Sequence, residues 1–223
     1  MKKLLVSSVI AATAMIGAST SAMAEVSASV GIASTYLWRG YDLGSGTPAI
    51  SGDLNYSVGG GYVGVWGSSG DTEAGTEYDL YAGYGMEFMD GDLSIDLSIW
   101  NYVYPTGAGY TADGETDFGD LTDVILTVGL GPVSLAYYQP VAGFSGPGEG
   151  AGNDYNYYTI SSGYGAFSFT LGMHDNGDGD DPVHLNVDYS FNDNLTFTLS
   201  QFIVDEDAED DLKFVVSYSV PLM

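Results

Sequence analysis

Three sets of side chains in this 223-residue sequence carry chemical potential. His174 and His184 flank the acidic stretch DNGDGDD at 175–181. Two imidazoles with neighbouring carboxylates such as Asp175 and Asp181 are a donor set for Zn²⁺ or Cu²⁺. The same spacing suits a hydrogen-bonded histidine pair at the rim of a structure, which is the commoner outcome. No dedicated metal site is therefore expected, with His174 and His184 the residues to watch. Ser168 and Ser190 share the phase of these histidines, but neither sits in a nucleophile motif of the kind acyl transfer needs. The chain is not expected to be an enzyme.

The second set is the acids. DNGDGDD (175–181) and DEDAEDD (205–211) are clusters of hard oxygen donors. The first resembles the start of an EF-hand loop but lacks the downstream glutamate and the helices. A solvated acidic rim is expected, bridged non-specifically by Ca²⁺ or Mg²⁺ to anionic lipid headgroups, with no cofactor. The third set is one residue, Arg39, in the aromatic stretch STYLWRGYDLGSG at 34–46.

Arg39 stands out because the chain is so acidic. Thirty Asp and Glu face four Lys and Arg. Two of the four, Lys2 and Lys3, open a segment with the form of a secretory leader. An apolar run follows from Leu4 to Ile16, and Ala22-Met23-Ala24 has the small residues of a cleavage site. Residues 1–24 are expected to be a signal peptide and 25–223 the mature domain. That leaves Arg39 and Lys213 against 30 acids, a formal charge of −28. Nucleic acid is excluded as a partner, since no basic patch exists. Disorder would normally accompany such charge. However, 45% of residues are hydrophobic and 18 are tyrosine, so this chain buries or embeds a large apolar surface. Cysteine is absent, which removes disulfides and thiolate chemistry.

The elements that must position these residues are strands. After residue 25 the apolar period is two, punctuated by Gly, Asn, Asp and Pro. In AISGDLNYSV (49–58) and PVHLNVDYSF (182–191) one face is apolar and the other polar. The pattern predicts twelve strands, at 26–38, 48–58, 61–67, 76–88, 92–104, 120–130, 132–139, 154–163, 165–174, 182–191, 194–204 and 212–222. Connections alternate between long and short. The long, Gly- and acid-rich ones fall at 39–47, 68–75, 105–119, 140–153, 175–181 and 205–211. The short ones fall at 59–60, 89–91, 131, 163–165 and 192–193. This rhythm predicts an all-β fold: a single antiparallel transmembrane β-barrel of about twelve strands. It would have short periplasmic turns and longer acidic extracellular loops. A soluble β-sandwich is the alternative, but its loops need not alternate and its outer faces would mix Lys with Glu. The apolar faces also end in aromatics, Tyr36 and Trp38, Tyr84 and Phe88, and Tyr189 and Phe191, as interfacial girdles do.

Four blocks carry a resemblance: STYLWRG (34–40), PAISGDLNY (48–56), GYVGVWGS (61–68) and EYDLYAGY (77–84). Together they resemble the opening of the TorF family of porins. The likeness implies an outer-membrane protein of a Gram-negative bacterium, without an assigned substrate and without catalytic residues to transfer. The chain departs from outer-membrane proteins at large in ending SYSVPLM rather than in an aromatic. Pro221 must then sit at the margin of its strand, because it cannot donate to the ladder.

A barrel gives each chemical set a place. Asp53, Glu77, Asp79, Glu87, Asp96, Asp123 and Asp188 lie on the polar phase, where they would line the lumen and favour cations over anions, with Asp53, Glu77, Asp79, Asp96 and Asp188 the selectivity candidates. Inward Trp100, Tyr102 and Tyr104 would narrow it. Arg39 at the top of the first strand and Lys213 at the top of the last would be neighbours, tying acidic loops to the rim. The expected function is a porin-like channel for passive diffusion of small neutral or cationic solutes. The alternative is a non-conducting structural or adhesion barrel. Expected partners are outer-membrane lipid, the small solutes and the outer-membrane assembly machinery; the sequence leaves the oligomeric state open.

Overall fold

The computed structural model describes residues 24–107, 110, 118–143, 155–177, 181–204 and 211–223. All of the expected leader except Ala24 lies outside the described residues, as do 178–180 and 205–210 of the acidic stretches. The strands are β1 (Ala24–Ala33), β2 (Leu37–Trp38), β3 (Tyr41–Asp42), β4 (Ala49–Val58), β5 (Gly61–Asp71), β6 (Gly75–Phe88) and β7 (Leu93–Val103). They continue with β8 (Leu121–Leu130), β9 (Val133–Ala142), β10 (Asn156–Tyr164), β11 (Phe167–Asp175), β12 (Val183–Ser190), β13 (Leu195–Val204) and β14 (Lys213–Pro221). Twelve of them form a closed antiparallel barrel, in which β1 pairs with β4 on one side and β14 on the other. The remaining two, β2 and β3, make a small hairpin.

Closure follows from the alternation. On β4 the outward residues Ile50, Leu54 and Tyr56 are 63%, 49% and 46% exposed, while Asp53 and Asn55 between them point inward. The other barrel strands also turn apolar side chains outward, while acids, hydroxyls and a set of buried aromatics and aliphatics face the inside. Exposed Val, Leu, Ile and Phe on all sides are the reverse of a water-soluble surface. Among the described residues no helix is long and apolar enough to cross a membrane.

Short connections and both described chain ends share one end of the barrel, here the turn end. The longer connections share the other, the loop end. Pro221 is the last residue of β14, opposite Ser29, at the margin where its missing N–H costs least.

Two boundaries differ from expectation. The connection expected at 68–75 shrinks to 72–74, because β5 and β6 extend to meet it. Asp71 Oδ1 closes that turn by accepting from the Glu73 and Ala74 amides at 2.9 and 2.7 Å. More consequentially, β1 ends at Ala33 rather than at residue 38. The chain then leaves the wall and turns into the barrel. Tyr36 and Leu37 are 2% and 8% exposed, and β2–β3 is the hairpin this inturned segment makes. The barrel's core therefore lies inside it, at the loop end. There Ala74, Tyr81, Trp100, Tyr102, Tyr104, Leu121 and Ile125 pack together within the ring of strands.

Candidate functional site: an occluded lumen with an acidic wall

The tip of the inturned hairpin is Arg39-Gly40. Their φ values are 46° and 91°, both in the left-handed region that a tight two-residue turn requires. Trp38 and Tyr41 pair across the turn. Gly40 has no room for a side chain: a Cβ there would lie 2.7 Å from the His184 ring and 2.9 Å from Phe202. This packing seats the tip against β11–β13 and sends the arginine across the lumen.

Arg39 meets Asp123 of β8 in an ion pair of 2.8 Å, with the two side chains only 7% and 0% exposed. A second guanidinium nitrogen donates to Tyr155 Oη at 3.1 Å. The guanidinium also lies 4.3, 4.6 and 4.7 Å from the ring centres of Trp38, Tyr138 and Tyr157, an aromatic cage with cation–π geometry. Burial opposes the charge, but Tyr155, Asp123 and their neighbours outweigh it and raise the arginine's pKa, so it stays charged. Asp123 takes a further hydrogen bond from Tyr102 at 3.2 Å.

The same segment is held on another wall by Tyr36, whose hydroxyl donates to Glu77 of β6 at 2.5 Å. Tyr104 donates to the other Glu77 oxygen at 2.8 Å. Burial, and then the Glu77 charge, push both phenols well above their ordinary range, so both remain donors. A third contact is Tyr41, 5.2 Å from the His174 ring and 4.7 Å from Phe202. One short segment thus touches β6, β8, β11 and β13 and fills the loop end between them.

The histidines belong to this plug. His174 Nε2 bonds the Arg39 carbonyl at 2.8 Å; a carbonyl only accepts, so Nε2 carries the proton. Nδ1 then accepts from Tyr155 Oη at 2.9 Å. Arg39, Tyr155 and His174 therefore close a ring of hydrogen bonds that starts at the arginine's side chain and returns to its backbone. His184 is satisfied likewise, by Tyr157 Oη at 2.7 Å and Asn186 Oδ1 at 3.1 Å. The two imidazole rings are 6.0 Å apart and 1% exposed. All four ring nitrogens are thus engaged with hydrogen-bond partners. Among the described residues no group of three or more His, Cys, Asp or Glu is arranged to hold a metal ion.

Of the seven expected lumen acids, five lie along one arc of the inner wall, and Glu87, at the turn end of β6, is exposed. Glu77 and Asp79 stand on β6, Asp96 on β7 and Asp53 on β4, joined by Asp123 on β8. Asp188 stands apart on β12, taking Thr198 and Ser168 hydroxyls at 2.6 and 3.2 Å. Tyrosines hold the arc. Tyr81 donates to Asp53 at 2.9 Å and Tyr62 to Asp96 at 2.8 Å. Each of these two crosses a glycine on the facing strand. A Cβ on Gly83 would come within 2.3 Å of Tyr62 Oη, and one on Gly64 within 2.3 Å of Tyr81 Oη. Tyr62 pairs with Gly83 in register, and Tyr81 with Gly64, so the arrangement is reciprocal.

Lys213 opens β14 with Nζ 5.5 Å from the Phe202 ring, the ring that also abuts Gly40. The acids at 205–210 expected beside it lie outside the described residues. The partner the structure gives Arg39 is Asp123, on the far side of the ring from β14. The placement differs from the expected top of the first strand because β1 ends at Ala33 and the chain turns inward there, while Arg39 and Gly40, both with positive φ, reverse it at the hairpin tip. Sequence reasoning set Tyr36 and Trp38 in an outer aromatic girdle, whereas the chain turns inward after Ala33 and places Tyr36 on Glu77 and Trp38 against Arg39 inside the barrel; it gave no role to Tyr62, Tyr155 and Tyr157. The available signal was Arg39-Gly40 between two aromatics, a two-residue hairpin turn at the start of the connection expected at 39–47.

Residues 17–212 match the model of a family described as bacterial proteins of unknown function, Gcw_chp, and the chain belongs to that family. No curated protein matches it.

Proposed function

We propose that this member of the Gcw_chp family is an outer-membrane β-barrel of a Gram-negative bacterium, exported by the leader at 1–24. In this reading it is a porin-like channel for small neutral or cationic solutes, closed at its extracellular end by the inturned segment 34–48. The turn end with both termini is periplasmic, and the loop end is extracellular. The resemblance of the 34–84 blocks to TorF porins supports the same class.

The observation that carries the proposal is the inversion of polarity: apolar side chains outside, carboxylates on the inner wall. Such a wall has no use in a soluble protein, whereas it supplies a cation-favouring path through lipid. Asp96, Asp53, Asp79 and Glu77 form a file from near the turn end to the plug. No opposing arginine ladder is present among the described residues, where the basic side chains are Arg39 and Lys213. Anionic solutes are therefore disfavoured. The protein acts by passive permeation and carries out no catalysis.

A second reading, a non-conducting surface barrel, is favoured by one observation: inward side chains of the loop-end half are nearly all buried. Reversal potentials of the purified protein in planar bilayers under a salt gradient separate the two. Cation-selective current supports the channel; a silent membrane with folded barrel present supports the structural protein; anion selectivity contradicts the proposal.

A further inference from the structure

Asp96 has an unmet need that the plug does not explain. It is 5% exposed, and its Oδ1 accepts from Tyr62, yet Oδ2 has no hydrogen-bond partner. A buried carboxylate oxygen without a donor is costly, so the site is poised to receive one. Arg39 is committed to Asp123, and Lys213 lies over Phe202.

The surroundings specify the donor. Tyr62 and Tyr81 lie across the inner wall over Gly83 and Gly64, with ring centres 6.1 Å apart. Trp100 stacks on Tyr81 at 4.3 Å and 12°, and its own N–H is taken by Ser98 at 3.2 Å. Asp53 sits at the far end, on the Tyr81 hydroxyl. Two carboxylates thus terminate an aromatic patch that has no positive charge of its own. Aromatic faces attract cations, and carboxylates accept charged N–H groups strongly. A bare divalent ion would need six or more oxygens, and no ligating group of three exists here among the described residues. Asp53, Asn55, Tyr62 and Ser94, around the patch, are half-buried rather than sealed in the core.

We infer that Asp96, Asp53, Tyr62 and Trp100 form a binding site for a small protonated amine, whose N–H donates to Asp96 Oδ2. The inference rests on the channel reading above and names the class of cation that the lumen selects.

Tryptophan fluorescence of the full chain refolded in detergent tests it without requiring conduction. Titration with 1,4-diaminobutane or butylammonium chloride is expected to give a saturable change that sodium chloride and sorbitol do not. Asp96→Asn should raise the half-saturation concentration about tenfold or more. Asp193→Asn, in an exposed turn, should not. Should Asp96→Asn fail to fold, Asp53→Asn is read in the same way. The site is overturned by the absence of saturation, by an equal response to sorbitol or sodium, or by an undiminished response in whichever of the two variants folds. Cation current without amine binding sinks this site alone, and amine binding in a barrel that never conducts sinks the channel reading alone.

Discussion

Arg39 and Asp123 are 84 residues apart in sequence and 2.8 Å apart across the lumen, with both side chains withdrawn from solvent. That pair explains why so acidic a chain keeps an arginine in an apolar stretch. A buried ion pair does not make a barrel more stable than apolar packing would, but removing one member is expensive. Its value is positional: it fixes where the inturned segment ends.

Arg39→Ala leaves Asp123 buried without its charge partner. The expected cost is about 3–5 kcal/mol, read as a lower denaturation midpoint of the refolded barrel. Arg39→Lys should recover only part of it, because one ammonium cannot serve Asp123, Tyr155 and three rings at once.

Two glycines in the inturned segment separate backbone strain from packing. Gly40 and Gly46 both have positive φ, 91° and 76°, but a Cβ on Gly46 meets nothing within 4 Å. Gly46→Ala should cost ~1–2 kcal/mol from backbone conformation alone. Gly40→Ala adds collisions with His184 and Phe202, so its loss of stability should be clearly larger in the same unfolding assay.

Much of this was legible in the residues, and the part that was not has a physical cause. Period-2 alternation specified all twelve barrel strands because each is half-buried against lipid-like and lumen-like surroundings, the condition under which alternation is strongest. The inward phase of Asp53, Glu77, Asp79, Asp96 and Asp188 followed from it. From Ala33 through Trp38 only Ser34 and Leu37 fall out of phase, however, and alternation alone does not tell a strand that continues from one that turns into the lumen. Only the Arg39-Gly40 turn marks the difference. Nor does phase say how far a tyrosine reaches. Tyr62 and Tyr81 bridge to acids on other strands because Gly83 and Gly64 lie beneath them, a register relation that exists only once strands are paired.

Gly83→Ala tests that relation. The methyl would occupy the path of the Tyr62 hydroxyl, so Tyr62 must leave Asp96 or the wall must give. A destabilisation of about 1–3 kcal/mol is expected. Gly52→Ala, on a strand with no positive φ and with a Cβ that meets only Ser29 O at 3.6 Å, gives the reference without collision.

Alkaline pH should weaken the plug. Tyr36 and Tyr104 have pKa values raised above the ordinary 10.0 by burial and by Glu77. A group whose pKa is raised by folding contributes stability that is complete below its unfolded pKa and lost as pH climbs through the folded one. Tyrosinate absorbance should therefore show phenols resisting ionisation past pH 10, with unfolding on further titration. Tyr36→Phe should remove part of that dependence.

The account stands most directly on single-channel conductance of the wild-type barrel beside Arg39→Ala, after gel mobility has shown both folded. With the hairpin tip released from Asp123, the variant should open more often or more widely than wild type and carry cations in preference to anions. An Arg39→Ala barrel that is folded, yet conducts no more than wild type, would contradict the segment 34–48 as the closure of the lumen.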